Sequence, residues 1–326
     1  MFRIAVNTLC LLAIAVTLGA APAYSQNYPV KPVRIIVPFT AGGLTDVLAR
    51  GLAQELTKIW GQQVIVENRP GANTIIGAEV TAKSAADGYT ILMANDPTLS
   101  SNQYLYNKLP YDPVKDFAPV INLVESVNVL VANVAFPVKN LKELIELAKT
   151  KPGEITYGTF GPGSATHLDT EALASAVGVT FNHVPYKGIA EVLPAVMGGQ
   201  INFALSGVPP TLALIRGGKL KVIAVPSHAR LPVLPDTPTF AEAGLPNFYS
   251  RSWFGLAVPA GTPRPVIDKI AADISSIVIR PDFSEKFIAG VGLTLLNHGP
   301  DQFTEFLKAD RENYAVRVKN INVKLD

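Results

Sequence analysis

Cysteine is nearly absent from the sequence: Cys10 is the only one, and it sits in an apolar N-terminal run. A lone thiol there excludes an internal disulfide and removes cysteine from any catalytic or metal-binding account. Histidine is also scarce, at His167, His183, His228 and His298, and no His-x-x-x-His spacing offers a metal its ligands. An excess of one charge is lacking, with 28 Lys+Arg against 26 Asp+Glu. That balance gives no electrostatic case for nucleic acid or an anionic membrane surface, and favours a small partner. Neither glycine-rich loop reads Gly-x-x-x-x-Gly-Lys-Ser/Thr or Gly-x-Gly-x-x-Gly, so no nucleotide or other cofactor is expected. Long apolar runs are missing beyond residue 25. The most apolar stretch, "APVINLVESVNVLVANVAF" (118–136), is broken by Asn122, Glu125, Asn128 and Asn133, and reads as core strand rather than a membrane span.

What is present begins with an export signal. Arg3 supplies a positive start, "LCLLAIAVTLGA" an apolar stretch, and Ala21-Pro22-Ala23 or Ala23-Tyr24-Ser25 the small residues for cleavage. Residues 1–25 are therefore expected to be a removed signal peptide. The roughly 300 residues that remain exceed what one core usually carries, which predicts two lobes.

Along the mature chain, strands and helices alternate, the pattern of an α/β architecture with parallel strands. "VRIIVPF" and "QVIVEN" read as buried strands. Between them Leu44, Val47, Leu48, Leu52, Leu56 and Ile59 recur at helical spacing. A helix over 74–83 and the strand "TILMAN" extend the unit. A second set follows, from the helix around Leu141, Leu144, Ile145 and Ala148 through strands "ITYGTF", "FNHVPY", "INFALSG" and "KVIAV". The tail adds the strand "SWFGLAVPAG" and two helices. The predicted organisation is lobe 1 over 26–125, lobe 2 over 126–253 and a return to lobe 1 over 254–326. Two crossings between lobes imply a hinged cleft.

Ligands of open α/β sheets sit beyond the carboxyl ends of strands. "PFTAGGLTD" (38–46) is such a strand-to-helix loop. Gly42 and Gly43 let the backbone approach a ligand, and the following helix aims unpaired N–H groups at the same spot, which suits a carboxylate. Asp46, in the first helical turn, either caps N–H groups or meets a ligand's ammonium. "GTFGPGSATH" (158–167) is a second loop of this kind in the other lobe, with hydroxyls at Thr159 and Ser164. Two helix N-termini facing one cleft fit a small dianion, or a carboxylate with a second polar end.

Ser164, His167 and Asp169 invite a hydrolase reading. The surrounding sequence is not Gly-x-Ser-x-Gly, and residues this close along one helix cap and line it more simply than they form a triad. Tyr186 and Lys187 in "HVPYKG" are secondary cleft candidates. Trp253 and Phe254 read as core.

The motifs together resemble the Bug-type solute-binding receptors of the tripartite tricarboxylate transporter family. The likeness runs through "YPVKPVRIIVPFTAGGLTDVLAR", "VIVENRPGAN", "ADGYTILMAN", "KPGEITYGTFGPGSATHL", "HVPYKG", "LPDTPTFAEAGLP" and "WFGLAVPAGTP". It implies an α/β, two-lobed Venus-flytrap fold of the type II periplasmic-binding-protein class, with a ligand cleft between the lobes. It also implies a non-enzymatic periplasmic receptor, a monomer, that captures a small carboxylate and delivers it to membrane transporter subunits. Carried over by position, the ligand-binding residues are Phe39, Ala41, Gly42, Gly43 and Asp46 in lobe 1, Thr159, Gly163, Ser164 and His167 in lobe 2, and Asn95 at the end of "ILMAN". The alternatives are a two-lobed enzyme acting on a small carboxylate, or a receptor for a different transporter or sensor. Two departures stand out: Asn73-Thr74 where the family pattern has Gly-Gly, and Asp169 where it often has Ala.

Overall fold

The computed structural model describes residues 28–246 and 248–321. The signal-peptide expectation for residues 1–25 lies outside the described residues. The chain opens with β1 (Val33–Val37), α1 (Leu44–Trp60), β2 (Val64–Asn68), α2 (Ile75–Ala82) and β3 (Thr90–Asn95). β1 pairs in parallel with both β2 and β3, as strands separated by helical crossovers must. α1 stops at Gly61, whose left-handed backbone (φ 63°) turns its N–H onto the Thr57 carbonyl. Its buried stripe is Leu48, Ala49, Leu52, Ala53, Leu56 and Trp60, while Val47 and Ile59 stand 47% and 48% exposed. The inward face is thus turned about one residue past the predicted stripe, because Ala49 and Ala53 are small enough to let the helix sit close on the sheet.

A π-helical turn at Pro97–Ser101 and α3 (Asn102–Leu105) lead into β4 (Phe117–Asn133), a 17-residue strand. α4 (Leu141–Thr150), β5 (Thr156–Thr159), α5 (Ala165–Val177), β6 (Asn182–Pro185), α6 (Ile189–Met197), β7 (Phe203–Gly207), α7 (Val208–Arg216) and β8 (Leu220–Ala224) follow. The tail consists of β9 (Arg251–Pro259), α8 (Arg264–Val278), α9 (Pro281–Phe287), β10 (Thr294–His298) and α10 (Pro300–Ile321).

β4 serves two sheets. Residues 117–127 pair with β9, which in turn pairs with β3, and residues 128–133 pair with β7 and β8. The first sheet therefore runs β2-β1-β3-β9-β4 with β10 beyond, and the second runs β8-β4-β7-β5-β6. The parallel expectation holds within β2-β1-β3 and β6-β5-β7, but β4 and β9 are antiparallel. The reason is topological: β4 carries the chain out of the first lobe and β9 carries it back, so the two crossings run in opposite directions. They touch at the boundary, where Asn128 N–H donates to Ser250 O at 3.1 Å.

Each lobe has its own core. Ile35, Leu48, Leu52, Leu56 and Ile91 pack with Ile270 and Ile274 of α8 in the first. Leu130, Leu144, Tyr157, Leu173, Phe203 and Phe240 fill the second. Each such aliphatic or aromatic side chain contributes about 1.5 to 3 kcal/mol by leaving water. Trp253 is core, as read from sequence. It is fully buried, edge-on to Phe303 and Phe306 of α10, and its Nε1 donates to Asp310 at 2.8 Å.

Candidate functional site

In lobe 1, β1 hands the chain to α1 through residues 38–43. Gly42 has φ 83°, and a Cβ built on it would meet nothing within 4 Å, so it is the backbone conformation and not crowding that calls for glycine. Gly43 occupies the cap position of α1 with extended backbone and no side-chain cap. The first-turn N–H groups at Leu44, Thr45 and Asp46 therefore have no side-chain acceptor, and the positive end of the helix dipole lies open beside an exposed loop.

Asp46 does not point at that opening. Its Oδ2 accepts from Gly42 N and from Arg50 Nε, each at 2.9 Å, and its Oδ1 accepts from Asn68 Nδ2 at 3.0 Å and faces Arg50 Nη2 at 2.9 Å. Burial by itself would raise the carboxyl's pKa. The bonds from Arg50, Gly42 and Asn68 outweigh it and hold the group below the ordinary carboxylate range. Asn68 Nδ2 also donates to Phe39 O at 3.1 Å. Asp46 and Asn68 thus clamp the loop at both its ends, and the part of Asn68 is one that the sequence reading missed. Its only sequence signal is its place at the end of β2, just before "RPG".

In lobe 2, the loop 160–164 follows β5. Ser164 caps α5: its Oγ accepts from His167 N at 3.4 Å and donates to Gly161 O at 2.7 Å. Gly163 N–H donates to His167 Nδ1 at 3.1 Å. A ring nitrogen that accepts carries no proton, so the neutral ring keeps its proton on Nε2. His167 stacks on His183 with centroids 4.1 Å apart, and Tyr157 stacks on His183 at 5.1 Å. Burial and then His183 push the His167 imidazolium down to about 4. Burial lowers His183 as well, against the opposing pull of Glu171. Both rings are neutral at neutral pH.

Thr159, expected to offer a hydroxyl to ligand, is fully buried, with its Oγ1 between His183 Nε2 (2.7 Å) and Gly161 O (3.3 Å). It supports the loop from behind. Asn95 directs its Oδ1 to Thr98 N and Oγ1, at 3.3 and 2.8 Å, bracing the π-helical turn. Asp169 turns away from the loop, to Ser250 and Arg317, and makes no contact with His167, so no Ser-His-Asp relay forms. Lys187 is exposed, and its N–H donates to Glu191; Tyr186 packs into the lobe-2 core. Among the described residues, no group of three or more His, Cys, Asp or Glu could hold a metal ion.

The start of α2 and the segment before it touch both loops. A Cβ on Gly77 would fall 2.7 Å from Pro38 Cβ, so the start of α2 abuts the first loop. Four residues earlier, Asn73 Nδ2 reaches Gly163 O in the second loop at 3.3 Å. The two loops differ: the lobe-1 helix end is uncapped, whereas in lobe 2 the Gly163 N–H and the Ser164 hydroxyl are already used internally.

Two α/β lobes joined by paired antiparallel crossings define a two-lobed solute-binding protein of the type II periplasmic class. The chain belongs to the tripartite tricarboxylate transporter receptor family, whose model, "Tripartite tricarboxylate transporter family receptor", matches residues 48–323. It is 36% identical to protein BugT of Bordetella pertussis over 94% of each chain. An R. palustris protein with adipate superposes with a TM-score of 0.87 at 31% identity, covering 91% of this chain and 99% of that one. MatC from Rhodopseudomonas palustris with bound malate superposes with a TM-score of 0.83 at 31% identity, over 89% of this chain and 100% of that one. The family is one of periplasmic solute receptors and not of enzymes.

Proposed function

We propose that this receptor binds a small carboxylate in the periplasm and delivers it, as a monomer, to a tripartite tricarboxylate-type membrane transporter. The observation that carries the reading is the uncapped N-terminus of α1 behind Gly42 and Gly43. First-turn amides and the dipole end favour an anion there. Phe39, Ala41, Gly42 and Gly43 shape the seat, and Asp46 holds it in place without touching the ligand. Across the cleft, His167 presents a neutral Nε2–H, and Ser164 and Thr159 fix the loop that carries it. Asn95 lies at the floor, where β3 ends. The adipate and malate of the two R. palustris structures support a carboxylate as the ligand class.

The lobes, which part at residues 127–128 and 250–251, turn about the paired crossings at β4 and β9. A ligand drives closure only by contacting both loops, since one that touches a single lobe has no preference for the closed form. A thermal-shift screen of the mature protein against mono-, di- and tricarboxylates, amino acids, sugars and uncharged controls tests the reading. Concentration-dependent stabilisation confined to carboxylates, with the ligand recovered unchanged from the denatured complex, is the expected result. Stabilisation by sugars or cations alone would overturn it.

A further inference from the structure

The Asn73 side chain reaches from lobe 1 to lobe 2. Within lobe 1, its Nδ2 donates to Asn102 Oδ1 at 2.9 Å, and across the cleft the same nitrogen donates to Gly163 O at 3.3 Å. Asn102, 1% exposed, donates from its own Nδ2 to Asn73 O at 2.9 Å and to the Tyr111 hydroxyl at 3.4 Å. The bridging amide is therefore held from behind by a buried partner and is not a swinging surface group.

The backbone beneath it is strained. Ala72, Asn73 and Thr74 have φ of 47°, 47° and 74°, three successive left-handed residues without a glycine among them. Side chains adopt this region rarely, and a β-branched threonine least of all. It persists here because neighbouring bonds over-determine it: Ile75 N to Ala72 O at 3.0 Å, Ala78 N to Thr74 O at 3.2 Å, and the Asn102 bond. Glycine at 73 would relax the strain at that position, but it has no side-chain donor to reach lobe 2. The strained segment presents an amide that glycine cannot supply.

We propose that Asn73 is an interlobe latch: by donating to Gly163 O it favours the closed arrangement before ligand arrives and slows ligand escape afterwards. This rests on the carboxylate-receptor reading for its consequence, though not for its geometry. Asn73 is a positioning residue. It grips the glycine whose N–H orients His167, and so it acts on the ligand loop without touching ligand. A receptor that is partly closed in advance binds more tightly, in proportion to the competent fraction it populates.

Cys10 is the only cysteine, so a chain expressed from residue 26 onward has none, and a Val47→Cys, Ala190→Cys pair in it can carry spin labels. Both side chains are exposed, on helices that leave the cleft ends of strands in lobes 1 and 2. Interlobe distances are measured without ligand in this background and with Asn73→Gly or Asn73→Asp added. Both variants suit a left-handed backbone and remove the donor, and Asp also sets a negative oxygen against Gly163 O. The expected result is a shift to longer distances in both, larger for Asp, with malate or adipate released about two- to tenfold faster, as the loss of one hydrogen bond implies. Unchanged distances in both variants overturn the latch. If distances lengthen but no carboxylate binds any version, the latch stands and the carboxylate reading falls.

Discussion

Arg317 of the last helix forms an ion pair with Asp169 of α5, so the chain's final element reaches from the lobe-1 sheet to lobe 2. Asp169 is fully buried, and its second oxygen accepts the Ser250 hydroxyl at the return crossing. Ser250 in turn accepts from Asn128 Nδ2, at 2.8 Å, at the outward crossing. Asp169 thus ties α5 to the last helix and, through Ser250, to both crossings.

Removing one partner of that pair strands a buried charge. Arg317→Ala is expected to lower stability by about 2 to 3 kcal/mol, less than the full cost of an unpaired buried charge because water already reaches the arginine. Asp169→Ala combined with Arg317→Met should recover much of the loss. A double-mutant cycle by urea denaturation decides the matter, and strictly additive effects would mean the two residues are not coupled.

Gly42 and Gly43 should separate folding from binding. Gly42→Ala places a Cβ on a left-handed residue and should cost about 1 to 2 kcal/mol of stability. Gly43 has φ −77°, and a Cβ there would lie 3.6 Å from Thr40 O, an ordinary approach. Gly43→Ala should therefore melt within about 0.5 kcal/mol of wild type and yet bind carboxylate more weakly, because the methyl group stands over the helix N-terminus. Calorimetry showing wild-type affinity in Gly43→Ala would remove that helix end from the site.

Asp46→Asn tests the clamp. The amide cannot accept from Gly42, Arg50 and Asn68 as the carboxylate does, so the loop loosens. Loss of the buried, charge-assisted bonds should cost about 1.5 to 3 kcal/mol. Because the folded-state pKa is depressed, the stabilisation is present above the unfolded carboxylate pKa and is lost as pH falls through the folded value. A stability–pH profile of wild type and variant should therefore converge in acid. Profiles that stay parallel would show that ionised Asp46 does not hold the loop.

His167 also costs stability toward acid, but here the fold favours the neutral form of the group and not the charged one. Its folded pKa of about 4 lies below the unfolded value, so the native state resists protonation that the unfolded chain accepts. Stability is unaffected by this residue above about pH 6.5 and falls as pH drops from there toward 4, by roughly 3 kcal/mol in all. Asp96 is raised by burial and by Asp310, which works in the other direction. The readout is therefore the difference between wild type and His167→Asn, whose side-chain oxygen can still accept from Gly163. The gap should change between pH 6.5 and 4, and a constant gap would show that the ring is not buried in its neutral form.

Both strand-to-helix loops were legible because strand, glycine turn and helix leave a local signature at 38–46 and at 158–167. The inner assignments were not, because they depend on partners distant in sequence. Thr159 looked like a donor to ligand, but only the fold puts His183 against it. Asp46 was rightly read as a first-turn acid, while its hold on Asn68 required β2 to be placed beside β1. The antiparallel run of β4 against β9 is a property of the return path, to which no residue pattern within either strand testifies. α9 is too short, at seven residues, for periodicity to announce it.

The adjoining crossings carry a mechanical consequence. Two antiparallel strands bonded side by side bend out of their plane more readily than they slide along each other, because sliding breaks the ladder bonds and bending keeps them. A swing of the lobes along that soft direction would leave the register of the crossings unchanged, so residue 73 would meet residue 163 at the same height each time.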